Sequence, residues 1–385
     1  MKSERTLLIL GTRGIPAAHG GFETFAEHCA LYMQERGWKV IVYCQEKGDS
    51  APYDSIFKGV TLRHISVSYK YPWDTIAYDY ACIRNAAATP GVCLLLGYNT
   101  AIFSVLLAVR RRKLLINMDG IEWKREKWSR GQRAWLWLNE WIGCVVGGRL
   151  IADHPKIEEH LRRRANAAKI RMIPYGADEI TAADPAMLAE WGVAENGFSM
   201  MVGRLEPENS ILTIVRAYAR SNQPVPLLVV GTLDPDRNPY HRELAAAASE
   251  NVKFVGAIYD QTKLRCLRFF TRLYIHGHTV GGTNPSLVEA LGGAGAVLAH
   301  DNHFNRWTAG PTAAYFADED ECEERLTAIL GDKRQQEMMK LGSQLQHKRL
   351  FTWEQVLGEY EDLIDEFAAD EMGRGVLGRP MITER

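Results

Sequence analysis

Short runs of consecutive apolar residues alternate with stretches of helical period along this chain, a rhythm that predicts a parallel, doubly wound α/β architecture. In the first half, runs at 6–10, 40–44, 60–64, 92–96, 114–117, 149–152 and 170–173 read as strands. The patterns at 21–36, 74–88, 101–110, 130–146 and 155–165 read as the helices between them. A turn-rich stretch from Tyr175 to Gly197 breaks the rhythm, and strands are predicted again at 198–202, 227–230, 252–255, 272–275 and 296–299. Two Rossmann-like domains, 1–175 and 176–351, are the economical division. The segment 352–367 is predicted as an amphipathic helix with Trp353, Val356, Leu357, Tyr360 and Leu363 on or near one face. Residues 370–385 read as a flexible tail.

Two strand-to-helix junctions stand out. In the second, the strand 272–275 runs through His276-Gly-His-Thr-Val-Gly-Gly-Thr-Asn-Pro into a helix that carries Glu289. Gly281 and Gly282 leave backbone N–H groups uncovered, Pro285 suits a first helical turn, and the helix N-terminus adds roughly half a positive charge, so a diphosphate fits there. Such turns also occur in α/β proteins that bind no phosphate. The first junction follows strand 6–10 with Gly11-Thr-Arg-Gly-Ile-Pro and Gly20-Gly-Phe-Glu-Thr. It lacks G-x-G-x-x-G spacing and an acidic residue about 20 positions on, which argues against a nicotinamide dinucleotide.

With 385 residues, 46% of them hydrophobic and 24% charged, the chain can bury two ordinary cores. A net charge of −1 gives no global pull toward nucleic acid, and no nucleic-acid partner is expected. Seven cysteines without C-x-x-C spacing point to reduced thiols and a cytoplasmic setting. The five apolar residues after Met1-Lys-Ser-Glu-Arg are too few for a signal peptide, and no run is long enough to span a bilayer. Residues 121–142 hold Trp123, Trp128, Trp135, Trp137 and Trp141 among basic residues, with Arg110-Arg-Arg-Lys113 upstream. That mix suits a lipid headgroup interface, and equally a core helix with solvated charges.

The two glycine junctions, Met118-Asp-Gly-Ile-Glu-Trp-Lys-Arg125, Ile151-Ala-Asp-His154, Ile173-Pro-Tyr-Gly176 and Val202-Gly-Arg-Leu-Glu-Pro-Glu-Asn209 occur in an order that resembles family 4 retaining glycosyltransferases. Within that family the chain looks most similar to the bacterial rhamnosyltransferase-like branch, over roughly residues 5–365. The resemblance implies a GT-B fold: two facing Rossmann-like domains, the acceptor held by the first, the nucleotide sugar by the second, and a final helix crossing back. It implies donor contacts from Gly20, Gly21, Arg204, Gly281, Gly282, Thr283, Asn284, Ser286 and Glu289. Asp119, at a strand end where an open α/β sheet binds ligands, is assigned to acceptor orientation or proton acceptance, with Glu122 as its neighbour. An Asx turn or helix cap is the other reading of Asp119. His154 is assigned to the sugar or acceptor, with helix capping as the alternative.

The chain departs from the family pattern twice. Asn209 stands where the family often has Lys, which lowers the local positive charge and removes a second cationic phosphate clamp unless another residue such as Lys263 or Arg306 substitutes. Gly281 stands where many members carry the first acid of Glu-x₇-Glu, Glu289 being the second. The implied reaction moves L-rhamnose from dTDP-rhamnose to a saccharide acceptor, polyprenyl-linked, in polysaccharide synthesis, with retention. The donor is a co-substrate, and no cofactor or metal is expected. Asp234-Pro-Asp236 reads as turn chemistry, and His276 with His278 lacks a third ligand. Competing readings are GDP-mannose or a UDP-sugar as donor, a non-catalytic nucleotide-sugar-binding module, and a sugar-nucleotide epimerase.

Overall fold

A computed structural model describes residues 5–17, 20–68 and 74–369; the tail expected at 370–385 lies outside them. The first domain holds eight strands: β1 (Thr6–Leu10), β2 (Lys39–Lys47), β3 (Tyr53–Phe57), β4 (Val60–Val67), β5 (Val92–Leu96), β6 (Lys113–Asn117), β7 (Arg149–Ala152) and β8 (Ile170–Met172). Their order is β3-β4-β2-β1-β5-β6-β7-β8, parallel except for the antiparallel β3–β4 pair. The second domain holds β9 (Ser199–Val202), β10 (Leu227–Val230), β11 (Val252–Gly256), β12 (Leu273–His276), β13 (Val297–His300) and β14 (Ala314–Phe316), ordered β11-β10-β9-β12-β13-β14 and all parallel.

The near-continuous apolar runs of β1, β5, β6 and β10 are buried because helices cover both faces of each sheet. Strand β3 was not expected from the sequence. Its residues are largely exposed at the sheet edge, and Lys58-Gly59, both with positive φ, join it to β4 in a two-residue hairpin. The three-residue β14 was likewise not expected.

Helix Trp353–Ala369 follows the second domain in sequence but packs in the first. Trp353, Val356, Leu357, Tyr360, Leu363 and Ile364 share a buried cluster with Leu7, Ile9, Phe25 and Met33. In the first sheet β1 lies between β2 and β5, and in the second β9 lies between β10 and β12. Connections leave in opposite directions at these two points, which opens a crevice beyond the carboxyl ends of the strands in each sheet. The two crevices face each other.

Candidate active site in the interdomain cleft

A cavity of about 800 Å³ lies between the domains, lined by the loops that follow β1, β6 and β7 on one side and β9, β10, β11 and β12 on the other. Gly20, Gly21, Asp119, Glu122, Arg204, Gly281, Gly282, Thr283, Asn284, Ser286 and Glu289 all line it. His154 does not. Its Nδ1 accepts from the Lys156 backbone N–H at 3.0 Å, capping helix Pro155–Leu161, and its ring packs edge-on against Phe304 and Trp307 of the other domain. Burial pushes its pKa down to about 4, so the ring is neutral and structural. The expected contact of His154 with sugar or acceptor is therefore replaced by a cap at the domain interface.

Asp119 follows β6 in a left-handed conformation, φ 49°, that aspartate tolerates better than most residues. Its backbone N–H donates to Asn117 Oδ1 at 2.9 Å, and Asn117 Nδ2 donates to the Tyr360 hydroxyl at 2.9 Å. The helix that crosses back thus reaches Asp119 through a two-bond chain. Burial raises the Asp119 pKa, opposed by the Gly120 N–H and by Arg125, Arg204 and Lys127. Burial and the Asp119 charge also raise Glu122, which pairs with Arg125 Nε at 3.2 Å.

Across the cleft, Arg204 follows β9, is 60% exposed and sits 3.3 Å from Glu206 Oε1. Its carbonyl accepts from Asn209 Nδ2 at 2.7 Å, so the buried Asn209 shapes the Arg204 turn and carries no charge into the cavity. The two candidate substitutes for a cation there are elsewhere: Lys263 pairs with Glu190 at 2.6 Å, Arg306 pairs with Asp301, and neither lines the cavity. The other arginines that line the cavity are Arg125, on the opposite domain and paired with Glu122 and Glu208, and Arg268, paired with Glu289.

Helix Pro285–Gly292 begins at the cavity wall. Asn284 is its N-cap, accepting from Ser286 N–H at 3.1 Å, and Pro285 fills the first turn. Gly281 has φ 137°, a conformation that favours glycine. A Cβ on Gly21 would stand 2.8 Å from Pro285 Cγ, so Gly21 is what lets the two domains close here. Glu289 pairs with Arg268, and burial raises its pKa while Arg268 opposes the rise. The guanidinium of Arg268 is almost fully buried with its Nε unpartnered.

Asp153, at the end of β7, reaches across to the glycine turn. Its Oδ2 accepts from Thr283 N–H at 3.2 Å, and its carbonyl accepts from the Thr283 hydroxyl. One of the turn amides expected for a ligand is therefore tied to the opposite domain. Burial, then the Asp119 charge, push Asp153 up to about 8. His278 stacks on His276 at 4.4 Å, and burial followed by Arg125 and Arg204 pushes it down to about 3. Among the described residues no group of three or more His, Cys, Asp or Glu could hold a metal ion. Asp234 caps a turn, accepting from Arg237 N–H at 3.2 Å.

Sequence reasoning missed Asp153, Arg125 and Arg268 as site residues. Arg268 left one signal: it shares a helical face with buried Leu264, four positions earlier. The other two stood inside the quoted segments 151–154 and 118–125, but their partners across the cleft, Thr283 and Glu208, left no role to read for either.

A family model described as "Domain of unknown function (DUF1972)" matches residues 4–178. No curated protein matches the sequence. Sucrose-phosphate synthase from Thermosynechococcus elongatus is similar in structure, with a TM-score of 0.77 at 16% identity over 95% of this chain and 100% of that one. HepE of Anabaena, solved with UDP and glucose, has a TM-score of 0.74 at 16% identity over 94% of this chain and 100% of its own. A UDP-forming α,α-trehalose-phosphate synthase from Burkholderia vietnamiensis has a TM-score of 0.71 at 10% identity over 94% of this chain and 100% of its own. At these identities the likeness establishes the architecture: two facing Rossmann-like domains in the GT-B arrangement.

Proposed function

We propose that the protein is a retaining, metal-independent glycosyltransferase that moves L-rhamnose from dTDP-rhamnose to a saccharide acceptor carried on a polyprenyl lipid, at the cytoplasmic face of a membrane. One observation carries the reading: Arg204 and the N-terminal turn of helix Pro285–Gly292 face Asp119 across a single cavity. The helix N-terminus and Arg204 suit a diphosphate, which gathers charge as it departs. The C1–O bond to the β-phosphate breaks, and the acceptor oxygen bonds to C1 on the same face. The acceptor proton passes to the departing phosphate oxygen, while Asp119 orients the acceptor hydroxyl. Glu289 serves the ribose once Arg268 shares it.

A UDP-sugar is the second reading for the donor, favoured by the UDP and glucose in the HepE structure; GDP-mannose stands behind it. Membrane contact is supported by one exposed surface. Trp137, Leu138, Trp141 and Val145 on helix Arg130–Val146 are exposed, as are Val105 and Val109 on the neighbouring helix, which ends at Arg110. No helix among the described residues is long and apolar enough to cross a membrane.

A thermal-shift panel of nucleotide sugars tests the donor. A ligand at 100 times its dissociation constant should add about 2.7 kcal/mol of stability. Transfer with retained configuration in excess EDTA is the expected reaction. Donor binding without transfer to any acceptor would favour a binding module instead, and strict dependence on added divalent metal would overturn the mechanism.

A further inference from the structure

We propose that Asp153 reads the transferred sugar, its carboxyl standing in for the side chain that the Gly281-Gly282 turn lacks; this rests on the glycosyltransferase reading of the cavity. Neither Gly281 nor Gly282 has a side chain with which to present a polar group to a ligand seated on the turn. Asp153 fills that gap from the opposite domain: a Cβ placed on Gly282 would collide with both of its carboxylate oxygens. The carboxyl lines the cavity beside the turn. It is oriented by Thr283, whose N–H and hydroxyl donate to Asp153 Oδ2 and to its carbonyl oxygen.

The second carboxyl oxygen, Oδ1, is closed off from solvent and has no hydrogen-bond partner. An unpaired buried oxygen is unfavourable, and a hydroxyl delivered by a ligand would relieve it. The class of ligand follows from the neighbours. A diphosphate at the helix N-terminus and Arg204 puts its sugar ring between Asp119 and the glycine turn, where hydroxyl groups are the available partners. Because Asp153 is pushed up to about 8, it is neutral at pH 7 and both accepts and donates. Asparagine shares that capacity, and alanine does not.

Isothermal titration of the full chain with dTDP and dTDP-L-rhamnose, and with UDP and UDP-glucose, separates the sugar's contribution from the diphosphate's. Wild type should bind one nucleotide sugar more tightly than its bare diphosphate. D153A should erase that advantage, about tenfold, with diphosphate affinity kept within about threefold, and D153N should restore most of it. Equal weakening of diphosphate and nucleotide sugar by D153A would show a turn clamp alone and overturn the assignment. So would an undiminished sugar advantage in D153A. A wild-type protein that binds neither diphosphate would instead fail the reading of the cavity, and the assignment with it. D153N, which can still accept from Thr283 N–H, guards against a loss caused by misfolding of D153A.

Discussion

The two glycine-rich junctions look alike as sequence and differ in how their backbone amides are used. At the first, the helix Gly21–Glu35 supplies its own acids: Glu23 accepts from Arg13 N–H at 3.2 Å and Glu27 from Ala17 N–H at 2.7 Å. These bonds fasten the preceding loop, and Glu23 in the first turn sets a resident carboxylate beside that helix end. At the second, the helix Pro285–Gly292 has no acid in its first turn, and its N-cap is the neutral Asn284. Glu289 lies deeper and is neutralised by Arg268. A glycine turn ahead of a helix is therefore only half of an anion site; the other half is the absence of an acid in the helix's own first turn.

The largest test removes the cation that faces the open junction. Arg204→Ala should lower kcat/KM for transfer by about 10² in steady-state assays, the usual cost of losing one preorganised donor to a developing oxyanion. Unchanged turnover would mean that the second junction holds no diphosphate. A third junction, β7 into helix Pro155–Leu161, shows yet another filling, the neutral ring of His154. Its folded pKa of about 4 lies below the ordinary 6.5, so its contribution to stability is present above pH 6.5 and is lost as pH falls toward 4. The loss reaches about 3 kcal/mol at most. His154→Asn keeps a cap and should flatten urea midpoints between pH 7 and 4, with transfer changed less than about twofold. A large fall in kcat would return His154 to the chemistry.

How much of this was legible in the chain follows from the range of the interactions. Strands such as Val92–Leu96 announce themselves because burial on both faces demands consecutive apolar residues. Tyr53–Phe57 does not, because an exposed edge relaxes that demand. Pro285 in the first turn was readable from local rules, whereas Asn284, assigned to the donor, is the N-cap. Lys263 and Arg306 were poor substitutes for a cation at 209 because each has an acid within reach, Glu190 and Asp301, a pairing that only the fold reveals. Asp153 and Arg125 act on groups more than 80 residues away in sequence, Thr283 and Glu208, and no periodicity encodes such a meeting.

Making the second junction resemble the first sharpens the contrast. Ser286→Glu puts a carboxylate in the first turn of helix Pro285–Gly292, as Glu23 stands in the first turn of its own helix. Binding of dTDP or UDP, read by titration, should weaken about tenfold. Equal affinity would show that the helix end and the diphosphate never meet.

The smallest effect distinguishes the two adjacent glycines of the first junction. A methyl on Gly20 would meet only the far end of the Glu23 side chain, at 3.3 Å, and that carboxylate can swing aside. A methyl on Gly21 would stand 2.8 Å from Cγ of Pro285, whose ring is locked into the opposing helix and cannot fold away. The domains must then part by a few tenths of an ångström, which moves Arg204 and the 281–284 turn away from Asp119. Transfer depends steeply on that separation, so Gly21→Ala should cost about fivefold in kcat/KM while Gly20→Ala stays within about twofold. Equal effects would mean that the first junction contributes only its local fold. A selective loss at Gly21 would mean that it serves as a spacer, its lack of a side chain setting how closely the anion-binding junction can approach.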